Sequence, residues 1–177
     1  MIARLIIPGE VYSRVSHHLL PRQAKTEQAG FIFADCTDND HNLTLRSKKW
    51  LPLPPEAFTV QSAGYLELTD EAKASIIREA YLMESSLVEF HSHPSSSKAS
   101  FSGSDLSGLE EFVPHVMWRL KRRPYAAVVV SRSNFDSLIW VTPDKPELLP
   151  ELDVDGRILH PTGLTITYLE ESRDGKQ

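Results

Sequence analysis

The residues best suited to chemistry sit in one short string, His91-Ser92-His93-Pro94. Side chains two apart on a strand point to the same side, so a strand ending here would offer two imidazoles to one metal ion. Proline directly after them ends the strand. A His-x-His pair arises readily by chance in a chain with seven histidines, so its weight comes from its neighbours. A catalytic zinc ion takes three protein ligands and keeps one position for water. Asp105, on the first turn of the next predicted helix, is the candidate third ligand. Ser102, three residues earlier, is a natural N-cap, and the pair reads as a capping box. Such pairs also begin many helices that hold no metal. Hydrolysis further needs a group to take a proton from water and return it to the leaving amine, which one carboxylate can do. Glu27 is the candidate, although alone it would read as a surface glutamate. Glu89 shares a strand face with His91 and His93. It is a candidate for orienting a ligand histidine, the alternative being an ion pair with a basic side chain.

The elements that must position these residues alternate between strand and helix. Residues 2–7 read as a strand, and a helix after Pro8-Gly9 carries Val11, Val15 and Leu19 at helical spacing. Residues 30–34 form a compact apolar run, bounded by the polar cluster 35–42, and a strand at 43–49 is expected to pair with it. Three prolines mark residues 50–65 as a projecting loop. Thr69 caps a helix with Ala72, Ile76, Ala80 and Met83 on one face, and residues 86–90 return as a strand. Ser102 starts a helix that Pro114 is expected to kink or restart. Residues 125–131 and 138–141 form a hairpin through Ser133-Asn134. Beyond a Pro-rich segment at 143–150, weaker strand signals fall at 156–159 and 164–169, followed by a polar tail expected to fray.

A chain of 177 residues, 41% of them hydrophobic, suits a single domain. Its net charge of −5 argues against a broad nucleic-acid surface, and the basic run at 119–123 reads as a solvated helix end. A single cysteine, Cys36, excludes an internal disulfide and a cysteine-rich zinc site, and it fits a reducing cytoplasm. Cys36 reads as a small core residue, with no Cys–His pattern to make it a nucleophile. No segment is long and apolar enough to suggest a signal peptide or a membrane span, so the expectation is a soluble, unanchored protein. His17, His18, His41, His115 and His160 have no ligand-like spacing.

Taken together, Glu27, then after a long gap His91-Ser92-His93-Pro94, then Ser102-Gly103-Ser104-Asp105, resemble the JAMM metalloproteases, also called JAB or MPN-plus domains. Glu27-x-x-Gly30 before apolar residues and Glu89-Phe90 before His91 resemble the family's prokaryotic members. The match spans residues 27–105. The loop from His93 to Ser102 is slightly longer than the family's usual spacing; the extra length falls within 95–100 and leaves the spacing from Ser102 to Asp105 intact, which a loop tolerates.

The resemblance implies an α/β (α+β) fold, a cytidine-deaminase-like three-layer MPN/JAB domain with a central mixed sheet flanked by helices. Residues 1–170 would form it, with 171–177 as a polar tail. It further implies one Zn2+ per chain on His91, His93 and Asp105, a water at the fourth position, Glu27 as general base and the Ser102 hydroxyl as an oxyanion donor. The activity implied is removal or processing of a ubiquitin-like modifier in a bacterial conjugation or antiphage defence pathway. Partners would be the modifier, its conjugates, and the pathway's activating (E1-like) and conjugating (E2-like) enzymes, with no nucleic acid and no membrane. The segment 50–65 occupies the place where the family holds the modifier's tail as an added strand, the plainer reading being an ordered connection. The alternative from another class is a non-catalytic MPN scaffold, whose members typically lack the ligands kept here.

Overall fold

Inward and outward side chains alternate on the strands and recur every three to four residues on the helices, and the elements follow that pattern. The computed structural model describes residues 2–39 and 41–174. In chain order they form β1 (Ile2–Ile7), α1 (Gly9–Leu19), β2 (Ala29–Asn39), β3 (Asn42–Pro52), a one-turn 3-10 helix (Pro55–Ala57), β4 (Phe58–Gln61) and β5 (Leu66–Leu68). There follow α2 (Asp70–Leu82), β6 (Ser86–Ser92), α3 (Gly103–Arg119), β7 (Tyr125–Val130), β8 (Phe135–Thr142), β9 (Lys145–Leu148), β10 (Glu151–Val154), β11 (Arg157–Leu159) and α4 (Leu164–Asp174).

The architecture is mixed α/β. Nine strands make one sheet in the order β11-β10-β1-β3-β2-β6-β7-β8-β9, while β4 and β5 pair only with each other. The contacts of β1 with β10 and β3, and of β6 with β7, are parallel. The centre of the sheet is buried on both faces, so β6, β7 and the first half of β2 read as nearly continuous apolar runs. Phe31, Leu87 and Ala127 face one core with Ile76 of α2 and Val113 of α3. Ile32, Val88 and Ala126 face the other core with Val15 and Leu19 of α1. β6 lies between β2 and β7, so the His-x-His string ends a strand held on both edges.

Several expectations need correction. Residues 50–65 are no simple projecting loop. Trp50 to Pro52 complete β3, Trp50 and Leu53 are buried, and β4 begins a hairpin with β5. Trp50 is drawn inward by edge contacts with the rings of His18 and Phe90. Gly30 makes room for it, since a Cβ there would overlap the Trp50 ring and lie 2.8 Å from the Leu51 carbonyl oxygen.

Residues 164–169, β-branched enough to suggest a strand, open α4 instead. Asp136 of β8 accepts from the N–H groups of Gly163 (3.0 Å) and Thr165 (2.9 Å), capping the first turn from a distant element. That tertiary cap outweighs local propensity. The same helix runs through residues 171–174, so the polar tail does not begin as frayed chain, and the remainder of 171–177 lies outside the described residues. Pro114 neither ends nor restarts α3. The N–H it lacks would pair with the carbonyl of Glu110, an exposed residue where water can serve. Residues 145–148 form β9, and β2 continues through the polar residues to Asn39. The basic run is the end of α3 and the turn after it, as expected. Among the described residues, no helix is long and apolar enough to cross a membrane.

Candidate metal centre

The register between β2 and β6 builds half of the site. Ala29 pairs with His91 in this antiparallel contact, and continuing the register by two residues sets Glu27 opposite His93. Ser92, between the two histidines, fastens the register. Its N–H donates to the Gln28 carbonyl (3.0 Å) and its Oγ accepts from the Gln28 N–H (3.0 Å). The hairpin grips the same stretch from the other side. The Glu27 N–H donates to the Ser62 carbonyl (2.8 Å) and the Gln61 side-chain amide donates to the Glu27 carbonyl (3.0 Å).

The helix α3 brings the other half. Ser102 is its N-cap in a complete capping box: Ser102 Oγ accepts from the Asp105 N–H (3.1 Å), and Asp105 Oδ2 accepts from the Ser102 N–H (2.7 Å). The loop before it, residues 94–101, is tied down in spite of its length. The Ala99 N–H donates to Asn134 Oδ1 (2.7 Å), the Phe101 N–H donates to Thr165 Oγ1 (2.9 Å), and both Ala99 and Phe101 are buried. The Phe101 ring meets the His91 ring edge-on at 5.6 Å.

His91, His93 and Asp105 thereby converge, each offering a ligand atom within 4.8 Å of the others. Asp105 Oδ2 lies 3.2 Å from His93 Nε2 and 3.5 Å from His91 Nε2. Two ligands on one tetrahedral zinc, with bonds of about 2.0–2.1 Å, stand roughly 3.3–3.4 Å apart, close to both spacings. Both nitrogens of His91 are buried, and each faces a carboxylate, Glu89 at 3.3 Å and Asp105 at 3.5 Å, without reaching good hydrogen-bond geometry, so the ring is incompletely satisfied by the protein alone. The donor set of two imidazoles and one carboxylate, with a side left open, could hold a metal ion.

Electrostatics favour a cation here. Burial works against an imidazolium at His91, but the facing carboxylates of Asp105 and Glu89 outweigh it and push its pKa up to about 10. Burial likewise opposes a charged Asp105, yet the two histidines hold its carboxyl well below the usual range. At Glu27, burial raises the pKa against the pull of His93 and His91. Glu27 is 4% exposed and its Oε1 stands 3.6 Å from His93 Nε2.

Glu89 lies behind His91, with Oε1 3.3 Å from Nδ1, on the opposite side of the ring from Asp105. Its other oxygen accepts from the Tyr125 hydroxyl at 2.7 Å. A carboxylate so placed orients the imidazole and sets which nitrogen is left for a metal. Sequence reasoning missed Tyr125. The available signal was a phenol heading the aliphatic strand Tyr125-Ala126-Ala127-Val128, since a buried hydroxyl needs a partner. His17, His18, His41, His115 and His160 stand outside the cluster. Cys36 is half-buried on β2, packed against the core under α1.

A cleft of about 670 Å³ reaches His91 and Asp105, walled by Phe58 and Leu66 of the hairpin, Ile77 of α2 and Phe112 of α3. Its size and apolar walls suit a small ligand or a short extended segment. Set beside known proteins, the chain matches no family model, and it matches no curated protein sequence.

Proposed function

We propose that this chain is a zinc-dependent peptidase of the JAMM type, on an MPN-like domain, that releases or matures a ubiquitin-like modifier in a bacterial conjugation or antiphage defence pathway. The observation that carries the reading is the juxtaposition of Glu27 with His91, His93 and Asp105: a three-ligand cradle and a nearly buried carboxylate 3.6 Å from one of its nitrogens. When bound there, a zinc ion supplies Lewis-acid chemistry, acidifying water and polarising a carbonyl. His91, His93 and Asp105 would hold it, and Glu89 fixes the tautomer of His91 from behind. Glu27 takes the proton of the attacking water and delivers it to the departing amine, and its raised pKa suits a group that must do both. Ser102 Oγ accepts from the Asp105 N–H and lies 3.0 Å from the Ser104 hydroxyl; with Ser104 as the donor of that pair, the Ser102 proton is left to donate to the developing oxyanion.

The hairpin β4–β5 lies in the chain between Glu27 and His91 and walls the cleft, so an extended tail laid along it would reach the centre. The partners this reading brings are the modifier, its conjugates, and the activating and conjugating enzymes of the pathway. Cys36 as the lone cysteine fits a cytoplasmic setting. A scaffold without catalysis would have no use for a buried His91 held between two carboxylates and beside a second histidine.

The test is metal analysis and cleavage of a ubiquitin-like fusion by the native chain and by Glu27→Ala. The variant is expected to keep stoichiometric zinc and to lose cleavage by about 10²–10⁴-fold, the contribution of a positioned acid–base group. Native protein without stoichiometric zinc, or a variant that cuts equally well, would refute the mechanism.

A further inference from the structure

The sheet face opposite the metal centre carries a second cleft, of about 440 Å³. Its floor is apolar, formed by Val15 and Leu19 of α1 and by Phe90, whose side chain points away from the face that bears His91. Its rim is cationic. Arg132 enters from the turn between β7 and β8, Arg157 from β11, and His160 from the segment after it. No aspartate or glutamate lines the cleft among the described residues, although the chain as a whole carries a net charge of −5.

Neither arginine belongs to any ion pair among the described residues. The arginine and lysine side chains that do approach a carboxylate among the described residues lie elsewhere: Arg4 reaches Glu151, Lys48 reaches Asp35, Lys49 reaches Glu79, and Arg123 reaches Glu84. Two guanidinium groups outside any such pair line this cleft instead, together with Tyr12 and Ser16. The charge of Arg157 is felt at the Tyr12 phenol, where it works against the effect of burial. Guanidinium forks match the planar or tetrahedral oxygens of carboxylate and phosphate, and they do so best where a low-dielectric floor excludes water.

We propose that this cleft binds a small amphipathic anion: an apolar or aromatic body seated on Val15, Leu19 and Phe90, carrying a phosphate or carboxylate between Arg132 and Arg157. The volume lies within the range of small-molecule sites. The apolar floor selects against a bare inorganic ion, and the paired guanidinium groups select against neutral and cationic ligands of the same shape. The site is independent of the peptidase reading, because no residue of the metal centre lines it.

Calorimetric titration of the full chain with phenyl phosphate tests this, with inorganic phosphate and benzylamine as comparison probes. One phenyl phosphate per chain is expected, bound at least roughly tenfold more tightly than either comparison probe. The double variant Arg132→Ala/Arg157→Ala should weaken it by roughly tenfold or more. Both side chains are exposed, so the melting temperature of that variant should be unchanged, which separates lost binding from lost folding. A parallel titration after chelation of metal should give the same affinity. Absence of saturable binding, equal binding of benzylamine or inorganic phosphate, an affinity unchanged in the double variant, or loss of binding on chelation would each overturn the proposal. The last result would place the phosphate on the metal centre instead.

Discussion

In the proposed centre Asp105 has two duties, helix capping and metal ligation, and two substitutions separate them. Its Oδ2 accepts from the Ser102 N–H at 2.7 Å as part of the helix cap, and the same atom faces His93 and His91 at 3.2 and 3.5 Å. Asp105→Asn keeps an oxygen to accept from the Ser102 N–H but removes the anionic ligand, whereas Asp105→Ala removes both and leaves only the Ser102 Oγ half of the cap. The one hydrogen bond lost from the Ser102 N–H is worth about 1 kcal/mol, and 1 kcal/mol moves the melting temperature of a domain of this size by about 2–4 °C. Without zinc, Asp105→Ala should therefore melt about 2–4 °C below Asp105→Asn.

Zinc then tests the second duty. At a free concentration of about 100 times the native Kd, binding stabilises the native chain by about 2.7 kcal/mol. Even outer partners of a metal change affinity by about 10–100-fold, so losing a direct ligand should cost at least about 100-fold. At the same zinc concentration the variants would then gain only about 0.4 kcal/mol. Differential scanning calorimetry with buffered zinc should show a rise of about 5–11 °C for the native chain and about 1–2 °C for both variants. If Asp105→Asn rose as far as the native chain, Asp105 would not be a ligand. If the two variants melted alike without zinc, the capping argument would fail.

Three further outcomes follow from the same geometry. Tyr125→Phe removes the 2.7 Å hydrogen bond that steadies Glu89 behind His91; chelator competition should show zinc affinity falling by about 10-fold, and an unchanged affinity would remove Tyr125 and Glu89 from the site. Gly30→Ala places a Cβ against the Trp50 ring and the Leu51 carbonyl, so denaturant unfolding should show a loss of about 1–3 kcal/mol; full stability would mean that Trp50 yields freely. Since flanking carboxylates push His91 up to about 10, the metal-free chain keeps a proton there at neutral pH that zinc must expel. Binding measured across pH 7 to 9 should therefore tighten by about tenfold per unit as pH rises, and a flat profile would show that His91 is already neutral.

Much of this fold was legible because local rules and tertiary demands agree. Thr69 and Ser102 cap the helices they are expected to cap, and the apolar spacing of Val15 and Leu19 does face a core. Where the two disagree, the sequence misleads. Leu164-Thr165-Ile166-Thr167 has strand propensity, but the Thr165 N–H and hydroxyl are both met by Asp136, a partner 29 residues away that no local pattern reveals. Trp50, read as part of a loop, is buried because His18 and Phe90 come from other elements to meet it. The site divides in the same way. His91, His93, Asp105 and Glu27 were nameable only as a set, since each has a plainer reading alone and it is their joint pattern that is restrictive. Tyr125 was not, since a strand residue is tied to Glu89 only by the parallel packing of β7 on β6.

That difference has a geometric origin. Glu27 and His93 are far apart in sequence, and the hairpin and α2 lie between them, yet their relation depends only on the register of β2 with β6. A slip of one residue would turn the Glu27 side chain to the other face of the sheet, so function requires this register to be fixed locally. Ser92 does that with both its backbone N–H and its hydroxyl on Gln28. The serine between the histidines thus belongs to the site through the strand pairing it enforces, without needing to touch metal or substrate. Loop length, by contrast, is free: residues 94–101 need only deliver Ser102, and the pins to Asn134 and Thr165 hold the delivered end in place. Extra length inside the loop therefore leaves Asp105 in reach of both imidazoles, because the pins and the helix cap, rather than the chain between them, set where its carboxylate lies.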